Sequence, residues 1–128
     1  MPPVPHVPLS WGELIDKITI LHIKRGKMTG DAGGRVTQEL ALLEAIAAPV
    51  LDEPTRVLAA RLKELNTALW EIEDAIRAKE AAKSFDADFI ELARAVYHTN
   101  DERGQVKRAI NLHLKSELME EKAYHAYR

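Results

Sequence analysis

A chain of 128 residues is long enough for one domain with a real core and too short for two comfortable ones. Its 46% apolar share is ordinary for a globular protein, while 30% charged residues with few aromatics point to long solvent-washed helices and away from disorder. A net charge of -2 supplies no general attraction to phosphate backbones or anionic lipid, and the absence of cysteine excludes a disulfide framework, a thiolate nucleophile and a cysteine-ligated metal.

Residues 1–9 are rich in proline and lack the charged start and apolar run of a signal peptide. They are read as an extended arm ahead of a single helical domain over 10–128. Nowhere does an apolar run approach the ~20 residues that a membrane-spanning helix needs. A soluble protein without a membrane partner is expected, with the cytoplasm as its compartment, which suits a chain lacking cysteine.

Ser10 followed by Glu13 is a capping box and should start helix one, which carries Leu14, Ile15, Ile18, Leu21 and Ile23 as a broad stripe. The β-branched Ile18, Thr19, Ile20 and Ile23 also fit a strand, but the cap and the helical character of the rest favour a helix. Gly26 to Gly34 contains four glycines and reads as a mobile loop. A short helix from Thr37 to Ala48 should bury Leu40, Leu43 and Ile46 and stop at Pro49. Pro54 suits the first turn of helix three, with Asp52 or Glu53 near its positive end.

Along helix three, Leu58, Leu62, Leu65, Leu69, Ile72 and Ile76 recur at steps of four, three, four, three and four. That is a coiled-coil seam, and so narrow a stripe needs a partner helix. Asp86 is a good N-cap for helix four, with Phe85 placed as a hydrophobic staple against Ile90. Helix four should run from Ala87 to Ser116, and the stretch from Glu117 extends it or bends back to dock Leu118, Met119, Tyr124 and Tyr127. The expected fold is therefore all-α: a long antiparallel, coiled-coil-like hairpin from Pro54 to Ser116, on the order of 40 Å long at ~1.5 Å per residue, with two shorter N-terminal helices packed on it.

Helix four does not mirror helix three. Its face through Tyr97, Asn100, Gly104, Lys107 and Asn111 is polar, with Arg103 beside it, and Gly104 leaves a notch for a ligand or another backbone. Helix three offers a matching stripe of Asn66, Trp70, Glu73, Arg77 and Glu80. Glu73 and Arg77 can hold each other, or Glu73 can pair with Arg103 or Lys107 if the stripes face one another. Solvent exposure, or control of register by a seam asparagine, accounts for the same residues without a ligand. Trp70, Glu73, Arg77, Tyr97, Asn100, Arg103, Lys107 and Asn111 are the candidate binding residues.

Sharper motifs fall short. Gly26-Lys27-Met28-Thr29 lacks both the first glycine and the hydroxyl of a phosphate loop. No His-x-x-x-His or Glu-x-x-His spacing occurs, so no metal or other cofactor is expected, and His22 reads as a packing residue. The basic clusters at Lys24, Arg25 and Lys27 and at Arg103, Lys107 and Arg108 carry no interleaved aromatics, which argues against nucleic acid. Ile15-Asp16-Lys17-Ile18 resembles a fragment of the first helix of the all-helical chorismate mutases, which would imply a small enzyme holding an anionic metabolite with arginine and lysine. Leu14 and Thr19 stand where that family has an arginine and an acid.

Over most of its length the chain resembles a bacterial family of roughly this size, all-helical by prediction. The resemblance rests on Ser10-Trp11-Gly12-Glu13-Leu14-Ile15-Asp16-Lys17-Ile18-Thr19-Ile20-Leu21, on Leu69-Trp70-Glu71-Ile72-Glu73-Asp74, on Phe89 through Asn100-Asp101 to Ile110-Asn111, and on Glu120-Glu121-Lys122. It implies an association with proteins that build surface glycans and brings no reaction, ligand or catalytic residue. The expected function is a non-enzymatic interaction module that forms a homo-oligomer, a dimer first, or binds another protein. A chorismate-mutase-like enzyme and a nucleic-acid binder are the alternatives.

Overall fold

The computed structural model describes residues 2–127, and among them the chain forms helices and no strand. The helices are α1 (Trp11–Lys27), α2 (Gly30–Ala47), α3 (Glu53–Ala81) and α4 (Ala87–His113), with a 3-10 turn at Ala48–Val50. Residues 2–9 form no helix or strand and are exposed ahead of α1. No helix among the described residues is long and apolar enough to cross a membrane.

The Ser10 hydroxyl caps α1, accepting from the Glu13 amide at 3.1 Å. The capping box is only half made. The Glu13 carboxylate turns away to Lys107 Nζ at 2.8 Å, because a charge-assisted bond to a buried ammonium outweighs one to an amide at a helix end. α1 packs against α2, α3 and α4, which buries Leu14, Ile15, Leu21 and Ile23 together with the polar Asp16 and Thr19.

The glycine-rich stretch is not the loop expected from sequence. α1 runs through Gly26, α2 begins at Gly30, and Met28 and Thr29 alone separate them. So tight a corner needs glycine twice: Gly30 adopts φ 65°, and a Cβ on Gly33 would come within 2.8 Å of the Met28 carbonyl oxygen. The helix expected from Thr37 therefore starts a full two turns earlier. Its buried edge is Val36, Leu40 and Ala47 with Leu43 partly covered, whereas Ile46 is 52% exposed because it falls one position off that stripe.

Asp52 caps α3, accepting from the Thr55 amide at 2.9 Å, and Pro54 lies in the first turn. Asp86 caps α4 by accepting from the Phe89 amide at 2.9 Å. The Phe85 ring meets Phe89 edge-on, with centroids 5.3 Å apart, and Ile90, the expected staple partner, stays exposed. α3 and α4 lie against each other, and paired residues fall along one as they rise along the other: Asp52 with His113, Arg61 with Glu102, Lys79 with Asp88. Leu62, Leu65 and Leu69 of the seam are buried, while Leu58, Ile72 and Ile76 are only partly so.

Two apolar clusters result. Ile15, Leu62 and Ile110 join α1, α3 and α4; Leu21, Val36 and Leu40 join α1 and α2. Full burial of such a side chain stabilises by about 1.5–3 kcal/mol, so α1, which contributes to both clusters, is the element that unites the fold.

α4 ends at His113, short of the expected Ser116. Lys115 takes a left-handed φ of 54°, and the Ser116 amide donates to the Asn111 carbonyl at 2.8 Å, which closes the helix in a Schellman turn. The Trp11 amide donates to Ser116 Oγ at 3.3 Å, tying this turn to the start of α1. Residues 117–127 then run back along α4 without helix. Glu120 and Glu121 reach Lys107 and Arg108, and the Tyr127 ring packs against Tyr97 with its hydroxyl donating to Asp101. Leu118 and Tyr124, two of the expected docking residues, stay exposed; polar contacts and Tyr127 hold the tail.

Candidate functional site

The polar face of α4 is turned towards α1 and the tail. α1 crosses closely at Gly12, where a Cβ would overlap the Lys107 carbonyl oxygen, and the Gly12 amide donates to Asn111 Oδ1 at 2.7 Å. One turn further along α1, Asp16 is 1% exposed. Burying a carboxylate without partners is prohibitively costly, and this one is fully supplied. Arg103 donates to both of its oxygens, through Nε at 3.0 Å and through Nη2. Asn66 Nδ2 donates to Asp16 Oδ1 and to Thr19 Oγ1, each at 2.9 Å, and the Thr19 hydroxyl donates to the Asp16 carbonyl. Arg103 Nη1 also reaches Asn100 Oδ1 at 3.4 Å. The Asp16 hydrogen bonds raise the Arg103 pKa against the opposing effect of burial.

A second set lies beside the first. Lys107 is buried, with its ammonium between Glu13 at 2.8 Å and Glu120 of the tail at 2.9 Å. Burial disfavours its charge, but the hydrogen bonds it donates to Glu13 and Glu120 prevail and its pKa is raised. The same contact with Lys107 lowers the Glu120 pKa. The notch at Gly104 is occupied by Lys122, whose Nζ would lie 3.1 Å from a Cβ there and which pairs with Glu120 at 3.4 Å.

Asn100, Arg103, Lys107 and Asn111 are thus brought together, and Asn66 of the α3 stripe joins them. The other α3 residues are not. Trp70 is half-buried under Lys27, whose ammonium stands 5.5 Å from the ring centroid. Glu73 and Arg77 are exposed and make no ion pair or hydrogen bond among the described residues, either with each other or with Arg103 and Lys107. Tyr97 is exposed beside Tyr127.

Sequence reasoning passed over Glu13 and Glu120 as partners, and Asp16 as the hub. A signal for Asp16 existed: an acid directly after Ile15 and two positions before Ile18, on a helix apolar on several sides, is a buried polar group in need of a cation. The lattice is internally neutralised. An incoming anion would meet Asp16, Glu13 and Glu120 before an unmatched donor, so the arrangement is suited to fixing how α1, α3, α4 and the tail register on one another. Among the described residues no group of three or more His, Asp and Glu is placed to hold a metal ion.

The profile of DUF6165, a family of unknown function, matches residues 6–127, and the chain belongs to that family. No curated protein and no solved structure matches the chain.

Proposed function

We propose that the chain is a helical interaction module that self-associates through the far ends of α3 and α4, pairing them as a coiled-coil-like hairpin with those of a second copy. The carrying observation is where burial stops. The last buried residue of α3 is Leu69 and the first of α4 is Lys107. Beyond them Ile72, Ile76, Phe89, Leu92 and Val96 continue the apolar stripe but are only half-covered, since two helices alone cannot close a seam. Phe85 and Ile90 stand exposed at the tip. A second copy related by a twofold axis would convert the two-helix overhang into a four-helix bundle.

On this reading Asn100, Arg103, Lys107 and Asn111 set the register that aims the overhang, while Glu73, Arg77 and Tyr97 lie on its outer surface. The neutralised lattice favours this over an anion-binding enzyme. Light scattering over a range of concentrations tests it: a dimer mass is expected for the wild type, and Ile90→Lys, a change at an exposed position, should return the monomer with helicity intact. A wild type that stays monomeric throughout defeats the reading.

A further inference from the structure

Away from the overhang, and touching the Asp16 network only at Thr19, a groove of about 260 Å³ lies between α1, the end of α2 and α3. Its apolar floor includes Ile15, Ile18, Ala47 and Leu51. On α3, Arg56, Ala59, Ala60 and Lys63 line it at steps of three, one and three. That spacing puts all four on one helix face, with the two alanines as a shallow step and one cation a turn away on either side.

Two features distinguish this groove from ordinary surface between helices. Alanine at both 59 and 60 leaves space at the meeting point of three elements, where larger apolar residues would have completed the core cluster of Ile15 and Leu62. Arg56 and Lys63 are both exposed and neither makes an ion pair among the described residues, in contrast to Arg61 between them, which pairs with Glu64 and Glu102. Across the groove the one acid, Glu44, is engaged by His22 at 3.3 Å. The rim therefore carries two unpaired cations on α3, with the Glu44 carboxylate opposite them, around a mainly apolar floor.

We infer that the groove is a binding site for a small amphipathic carboxylate, its apolar body on Ile18, Ala47, Leu51 and Ala59 and its charged end at one of the two flanking cations, Arg56 or Lys63. At ~30 Å³ for each water-sized group the groove holds about nine such groups, which suits a chain of roughly eight to ten carbons. A mainly apolar floor with a few charged groups at the mouth is the usual form of a small-ligand site. The site is independent of self-association, because none of its residues lies in the overhang.

Sodium decanoate, kept below its micelle concentration, is the probe, followed by calorimetry and amide chemical shifts. Saturable one-to-one binding with shifts at Ile18, Ala47 and Ala59 is expected. The double variant R56E/K63E, altered at two exposed unpaired positions, should bind at least tenfold more weakly while keeping its circular dichroism. K17E/R35E, with the same change in net charge at exposed positions elsewhere, should bind as the wild type does, and 1-decanol should bind at least tenfold more weakly than decanoate. Ala59→Leu should abolish binding by filling the floor. Absence of saturation, equal affinity of R56E/K63E, or equal affinity for 1-decanol would overturn the proposal. Displacement of decanoate by a peptide of residues 2–9 would overturn it too, giving the groove to the chain's own arm.

Discussion

Arg103 and Asp16, 87 positions apart, form a forked pair in which both carboxylate oxygens of a buried acid are taken by one guanidinium. The fork fixes more than distance. Because the guanidinium is planar and Asn66 occupies a further site on Oδ1, α4 can neither rotate nor slide by a turn against α1 without leaving Asp16 unsatisfied.

Removing one partner strands the other. Arg103→Ala should therefore cost about 3–5 kcal/mol in urea unfolding, far more than an exposed ion pair would. Arg103→Lys should recover only part of this, since an ammonium cannot reproduce the two-pronged contact. Replacing both partners, Asp16→Leu with Arg103→Met, should cost less than Arg103→Ala alone, because no charge is then left buried. A double variant worse than the single would show that the lattice is not the origin of the loss.

Gly12 and Gly26 sit in the same helix and should respond in opposite directions. A Cβ at Gly12 would overlap the Lys107 carbonyl oxygen and displace the Asn111 contact, so Gly12→Ala should destabilise by about 1–3 kcal/mol, the usual cost of overpacking. Nothing lies within 4 Å of a Cβ at Gly26, so Gly26→Ala should stabilise by about 0.5–1 kcal/mol through backbone entropy alone. Thermal melts of the two variants decide both.

The helical class, the caps at Ser10 and Asp86, and the buried side of α3 at Leu62, Leu65 and Leu69 were legible because each depends on residues close in sequence. The α1–α2 corner was not. Glycines that permit a tight turn and glycines that loosen a loop look identical until the Met28 carbonyl is seen above Gly33. The polar face of α4 was visible as a departure from periodicity, and Asn100, Arg103, Lys107 and Asn111 do converge. Their partners were hidden, because Asp16 and Glu120 lie 87 and 13 positions from the cations they bind and helical periodicity carries no information at such separations.

Two helix ends carry a strain that a single substitution can test. Lys83 and Lys115 both occupy left-handed backbone at φ 54°, each as the residue after a helix cap in a Schellman turn. That conformation costs a side-chain-bearing residue about 1–2 kcal/mol and glycine little. Lys83→Gly forfeits only an exposed contact with Glu80, so the melting temperature should rise, and Lys115→Gly should do the same. A fall in either variant would mean that the lysine side chain contributes more than its backbone costs.

Acid should release the tail before it unfolds the helices. The Lys107 contact holds the Glu120 carboxyl below its ordinary value of 4.5, so docking draws stability from ionised Glu120. The sign follows from that direction. A lowered folded pKa gives stability that is complete above the unfolded value and is lost as the pH falls through the folded one. Ile15 against Ile110 and the Gly12 amide on Asn111 do not titrate, so α1 and α4 remain together while residues 117–127 come away. Amide shifts of the tail should therefore titrate with a midpoint below 4.5, ahead of any loss of helical circular dichroism, and Glu120→Gln should show the released shifts already at pH 7. A midpoint at or above 4.5, or a tail unchanged in Glu120→Gln, would place the hold on the tail at Tyr127 and Asp101 instead.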